Sequence, residues 1–380
     1  MKKAYNYVWV KNLNIQLVAQ SWVDKNLMTT NQFEDVKINF PESFYRPGIF
    51  IKIGLFLFTL VAGCFFAGFL SLFFLENGGK KIFSMLSLVC SICFFFVLEY
   101  LIKERKLFHS GIDNALLYMA TVAAVIALVT AFESLKTWQY CLFVLLITVI
   151  VSLRYADLVT VFAAVLTTFA LFGDILLWFP LGKAVLPFAT MILSAGIYFL
   201  NTSESSVYYR ESQTLIKVIV LLIFYLGGNY YVVREGNAII ADLPTPIAPQ
   251  IPFAIVFYSL TAIIPLLYCY WGLRTKDRIF LIVGLVACAF SCFTYRYYFD
   301  FIPVEIALCA AGAALITLCT YCMNYFKSER FGLTDQMTKK HSLVDLQAIL
   351  IAHQFGQTPE EKNINFGGGN FGGGGSGDNY

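Results

Sequence analysis

Charge is scarce in this chain. Charged residues make up 13% of it, against roughly 25% in soluble domains, so there is too little polar side chain to cover a surface facing water. The 24 acidic and 27 basic residues leave a formal charge of only +3. A surplus that small argues against nucleic acid as a partner. Histidine is rarer still. His109, His341 and His353 are the only three, and no two of them stand at a metal-ligand spacing. There is no Walker loop, no G-x-S-x-G elbow, no H-E-x-x-H helix and no dinucleotide-binding fingerprint. The familiar soluble enzyme classes thereby lose their signatures, and no pattern calls for a cofactor. Cysteine is missing from the loops. All ten cysteines (64, 90, 93, 141, 269, 288, 292, 309, 319 and 322) fall in or beside apolar runs, whereas disulfide frameworks occupy exposed, oxidising loops. The C-x-x-C pairs Cys90/Cys93 and Cys319/Cys322 are therefore read as small packing residues rather than redox centres.

What the chain has in quantity is apolar sequence. Hydrophobic residues make up 58% and mean hydropathy is +0.69. A helix rises about 1.5 Å per residue, so about 20 apolar residues cross the hydrocarbon core. Ten stretches qualify: 50–75, 82–102, 115–132, 138–153, 157–179, 184–200, 215–233, 253–273, 279–293 and 302–326. None alternates as a barrel strand would. The expected fold is all-α, a polytopic transmembrane helix bundle of about ten spans with short cytoplasmic helices at both ends. The start is too polar to form the h-region of a cleavable signal, so the first block, at 50–75, is expected to stay as an anchor.

Basic residues mark the cytoplasmic loops of membrane proteins. Lys103, Arg105, Lys106, Arg274, Lys276, Arg278, Lys327, Arg330, Lys339 and Lys340 share one side if the N-terminus is cytoplasmic. Lys80, Lys81, Lys136, Lys183, Arg234 and Arg296 occupy the other. The asymmetry places both termini inside and requires an even number of spans.

The organisation follows: 1–49 a cytoplasmic helical region, 50–326 the membrane domain, 327–364 a cytoplasmic amphipathic segment, and 365–380 a disordered glycine-rich tail. In the first region Val10, Leu13 and Leu17 share a helical face, extended by Ile15, Val18 and Trp22. Thr29-x-x-Gln32 has the form of a capping box that starts a second helix. Two short helices cannot bury a core of their own, so they lie on the membrane, pack on the bundle or bind a partner. In the fourth segment NFGGGNFGGGGSGDNY has much backbone freedom to lose and little apolar surface to offset it.

Ionisable residues inside spans are costly and are the natural place to look for function. Asp174, beside Gly173, lies near the outer end of its span. Glu305 opens the last one, and Gly227-Gly228-Asn229 interrupts the seventh at similar depth. Lys183, Arg296 and Asp300 stand at or beyond that boundary, and Pro265 should kink the eighth helix. Asp174, Glu305, Asn229, Lys183 and Arg296 are the candidate intramembrane polar site, with carboxylates as carriers and cations as counter-charges. The plainer account has them reaching the interface or pairing across the bundle.

The segment SWVDKNLMTTNQFEDV, a Trp-containing helix followed by a second helix leading into dense spans, resembles uncharacterised bacterial multi-pass inner-membrane proteins. The FGGGNFGGGG ending is similar to glycine-rich tails on bacterial membrane proteins. The resemblance implies a plasma-membrane location and no assigned reaction. Three readings result. The first is a non-enzymatic structural, sensing or partner-organising protein, in contact with the lipid bilayer and with protein partners at its cytoplasmic ends. The second is a small-solute or ion transporter using the outer polar residues. The third is a membrane enzyme acting on lipid.

Overall fold

The computed structural model describes residues 3–74, 79–201, 207–241, 249–298 and 303–325. The expected segments 327–364 and 365–380 lie outside the described residues, as do Asp300 and the side chain of Glu305. The helices are α1 (Tyr7–Asp24), α2 (Thr30–Asn39), α3 (Ile49–Phe74), α4 (Lys80–Arg105), α5 (Ile112–Ala131), α6 (Thr137–Tyr155) and α7 (Leu158–Leu177). They continue with α8 (Gly182–Leu200), α9 (Arg210–Gly228), α10 (Tyr230–Ile240), α11 (Ala254–Thr275), α12 (Arg278–Tyr298) and α13 (Val304–Tyr325). A 3-10 turn at Val207–Tyr209 leads into α9. No strand occurs among the described residues; one isolated bridge joins Tyr45 to Leu107.

Among the described residues nine helices are long and apolar enough to cross a membrane. They coincide with nine of the expected stretches, and α13, 22 residues long, occupies the tenth. The chain is an integral, multi-pass membrane protein. Its exterior agrees with that reading: Phe58 is 73%, Phe65 75% and Leu72 75% exposed on α3, a surface stable only against lipid.

Lipid is as apolar as leucine, so burial of apolar surface does not drive these helices together; close packing and interhelical hydrogen bonds do. The hairpin α4–α5 shows both. Ser84 Oγ donates to Ala127 O at 2.6 Å and Ser91 Oγ to Ala120 O at 2.8 Å, with Ala115 and Ala120 wholly buried between them. In α11–α12, Gly284 lets the backbones approach so closely that a Cβ there would stand 2.9 Å from Cys269 N. Tyr225, Ile264, Tyr268, Val283 and Ala287 form the apolar core of α9, α11 and α12.

Two expectations about spans are refined. The seventh is not one helix: α9 ends at Gly228, Asn229 caps it, and the same Asn229 is the N-cap of α10. Pro265 does lie inside α11, but Pro187 is also inside a helix, α8.

Of the N-terminal helices, α1 packs on the bundle and α2 packs on α1. Thr29 forms the capping box with Gln32 that starts α2. On α1, Val10 and Leu13 are buried, whereas Leu17 and Trp22 remain exposed, so only the first half of the expected apolar face meets the bundle. Asn12 Nδ2 and Gln16 Nε2 donate to the carbonyls of Pro41 and Phe40, each at 2.7 Å. Aromatic contacts then run inward. Trp9 meets Phe44 edge-on at 5.3 Å, Phe44 stacks on Phe108 at 4.5 Å, and Phe108 meets Tyr5 at 4.9 Å.

Candidate functional site

One face of the bundle gathers the N-terminal region and the loops before α5, α7 and α9. Hydrogen bonds join them: Ala4 N donates to Arg154 O at 3.0 Å, Tyr45 N to Lys106 O at 3.0 Å, and Tyr208 OH to Arg154 O at 2.6 Å. On the same face Arg154 pairs with Glu99 at 2.6 Å, and Lys217 forms an ion pair with Asp277 in the α11–α12 loop. Burial would raise the Asp277 pKa, but hydrogen bonds from Lys217 and the Ile279 amide outweigh it and the net shift is downward.

At the centre of this face sits Asp113, in the first turn of α5 and 1% exposed. A carboxylate is favoured there by the helix dipole. It receives four donors: Tyr5 OH (2.8 Å), His109 N (2.7 Å), Ser110 N (2.8 Å) and Ser110 Oγ (3.0 Å). The loop that delivers the amides turns on left-handed residues, Lys106, His109 and Gly111. A second buried carboxylate, Asp157, caps α7. It accepts from Thr160 N at 3.0 Å, Asn114 Nδ2 at 3.1 Å and Tyr118 OH at 3.0 Å. Asn114 Nδ2 also stands 3.4 Å from His109 Nδ1. Because the NH2 group must face the Asp157 carboxylate, the amide orientation is fixed. Its Oδ1 is then left buried with no donor among the described residues.

Outside the spans, two further groups have displaced proton affinities. Burial pushes the Tyr5 phenol well above its ordinary pKa, and the neighbouring Asp113 charge and hydrogen bond add to that. Burial pulls His109 below its ordinary value, with Asp113 and Asp157 opposing and Lys52 assisting.

Between α1 and the starts of α3, α5, α7 and α9 lies a cavity of about 600 Å³. Its inner wall is Tyr5, His109, Asn114, Tyr118 and Asp157, and its rim carries Arg46, Lys52, Arg210 and Glu211. This cluster leaves little mark on the sequence. Carboxylates at helix starts read as ordinary caps, and the pairing of Tyr5 with Asp113, 108 residues apart, leaves no local trace. The H-S-G-I-D-N run at 109–114 was the available signal.

The five residues expected to form the outer site are placed as follows. Asn229 is wholly buried and holds the α9–α10 break to α12. Its Nδ2 donates to Tyr225 OH at 2.9 Å and Thr294 Oγ1 at 3.1 Å, while its Oδ1 accepts from Val232 N at 3.2 Å. Tyr230 N is capped by Thr261 Oγ1 at 2.9 Å. Lys183, in the first turn of α8, lines a second cavity of about 350 Å³ with Pro187, Thr190, Gly227 and Asn237. Asp174, on α7, has a buried Oδ2 without a donor among the described residues and forms no ion pair with Lys183. Arg296 is in the last turn of α12, two residues beyond Thr294. Glu305 is on α13. Asn229 thus enters an extended hydrogen-bond network with neighbouring helices. Among the described residues, no cluster of His, Cys, Asp and Glu could hold a metal ion. The chain matches no protein-family model, no curated protein and no solved structure.

Proposed function

We propose that this is a non-enzymatic membrane protein of the bacterial plasma membrane that senses or organises partners at its cytoplasmic face. The N-terminal helices form a latched cap over the bundle there. The observation that carries the reading is the Tyr5–Asp113 hydrogen bond, 2.8 Å long and buried, which joins the N-terminal segment to the core of the membrane domain. A hydrogen bond to a charged group contributes about 1.5–3 kcal/mol, enough to hold the cap and small enough for a binding event to reverse. Both termini are taken as cytoplasmic, because Arg46, Lys52, Lys103, Arg105, Lys106, Arg154 and Arg210 crowd the capped face.

Tyr5→Phe tests the cap. Protease cleavage within α1, where Val10 and Leu13 are buried in the capped state, should speed up by roughly tenfold or more, as expected for the loss of at least about 1.4 kcal/mol. The melting temperature of the bundle should change little. Unchanged cleavage would remove the cap from the account. Solute transport is the second reading, favoured by the helix break at Asn229, since discontinuous helices line transporter sites. Against it, the Asn229 side chain is fully engaged within the protein. Uptake by proteoliposomes, abolished in Asn229→Leu, would put transport first.

A further inference from the structure

The cavity beneath the cap has an excess of basic groups on its rim. Asp157 on its wall and Asp113 behind Tyr5 are spoken for: Asp113 takes four donors and Asp157 three. On the rim, neither Lys52 nor Arg210 has a carboxylate within ion-pair distance among the described residues, whereas Arg46 is held by Glu42 at 2.8 Å. Against these two cations the rim sets only the carboxylate of Glu211, so the cavity keeps a net positive charge that favours an anion. Asn114 lines the same cavity, and its buried Oδ1 has no donor among the described residues; turned toward the cavity, it would take an N–H or O–H. The missing group therefore combines a negative charge with a hydrogen-bond donor.

The mouth indicates where such a group comes from. Leu158 and Val159 line the cavity at the first turn of α7 and are exposed. The exposed face of that helix continues through Phe162 and Leu166, at helical spacing from Leu158. In a membrane-spanning helix that face meets acyl chains, so the cavity opens laterally at the level of lipid headgroups. A polar interior, cationic rim and apolar mouth match the three parts of a phospholipid: the donor-bearing headgroup, the phosphate and the chains. We propose that the cavity binds the headgroup of a phospholipid whose polar end carries a hydrogen-bond donor, such as phosphatidylethanolamine or phosphatidylglycerol. Lys52 and Arg210 take the phosphate and Asn114 Oδ1 takes the donor. Guanidinium and ammonium bonds to phosphate are charge-assisted and strong, and interfacial basic pockets of this kind recognise lipid headgroups.

This inference deepens the cap reading, because α1 forms one wall of the cavity. The test uses delipidated full-length protein in detergent, with melting temperature followed as lipid is titrated in. Phosphatidylethanolamine and phosphatidylglycerol should each raise it by several degrees. Phosphatidylcholine, with a phosphate but no headgroup donor, should do so at least roughly tenfold less effectively, as expected for one lost bond of about 1.4 kcal/mol. Lys52→Gln/Arg210→Gln should lose the response while Arg46→Gln keeps it. Should the double variant misfold, Lys52→Arg, which preserves the charge, should retain it. Equal responses to all three lipids, or an undiminished response in the double variant, would overturn the proposal. Inorganic phosphate or glycerophosphoethanolamine reproducing the full shift would overturn the lipid source in favour of a soluble phosphate compound. A failed cap alone would show as protease cleavage indifferent to Tyr5→Phe with the lipid response intact.

Discussion

At the scale of single residues, the site is governed by which groups stay neutral. His109 has its pKa held below the ordinary 6.5 by burial, a pull that Asp113 and Asp157 oppose and Lys52 assists. The folded state thus binds a proton less readily at this ring than the unfolded chain does. Stability from the neutral ring is fully present above the unfolded pKa and is lost as pH falls through the folded one. Neutrality also suits the contacts, since an unprotonated Nδ1 faces the Asn114 NH2 group. The melting temperature should therefore drop as pH is lowered below about 6.5, the reference value for histidine. His109→Asn should flatten that part of the curve, because Asn tolerates the left-handed backbone (φ 48°) and does not titrate. Parallel curves for the two proteins would show that His109 is not the responsible group.

At the scale of elements, the loop between α4 and α5 sets the cavity. Gly111 has φ +100°, and a Cβ there would lie 2.2 Å from the carbonyl oxygen of Lys52 on α3. That approach brings the α3 residue that carries the rim ammonium against the start of α5. Gly111→Ala should cost about 1–3 kcal/mol from backbone strain alone, with more from the clash, and should weaken the lipid response as α3 is displaced. Gly54→Ala is the control, with nothing within 4 Å and a helical position where alanine gains about 0.5–1 kcal/mol. Similar melting temperatures for the two variants would contradict the close approach. The helices themselves were legible: runs of about 20 apolar residues have few alternatives in a bilayer, and Thr29 with Gln32 announced α2. The break at Asn229 was half legible, since Gly227-Gly228-Asn229 marked the place, but Tyr225, Thr261, Ser291 and Thr294, which satisfy it, come from three different helices. The site under the cap was not legible. Its contacts join segments far apart in sequence, and membrane helices carry no periodic signal for which polar residues will face one another.

At the scale of the whole molecule, the arrangement makes a claim about sidedness. The hydrogen bonds from Ala4 and Tyr208 to Arg154 and the pairing of Tyr45 with Leu107 put the N-terminal region, the α4–α5 loop and the start of α9 on one face. Lys217 and Asp277 add the α11–α12 loop to it. Every second connection thus returns to the capped face, as successive crossings demand. Lys80 and Glu133 pair at 3.1 Å across the loops of the opposite face. Basic residues crowd the capped side, and cytoplasmic loops carry such an excess, so reporter fusions after Lys106 and Glu235 should read inside and outside. The decisive position is after Phe331, beyond α13. The 22 residues of α13 are enough to cross, since a helix of that length spans about 33 Å, and an inside signal there requires that they do. An outside signal would leave α13 uncrossed and the bundle with nine spans. The C-terminal segment would then lie on the face opposite the cap, where it could not share a cytoplasmic partner with α1 and α2.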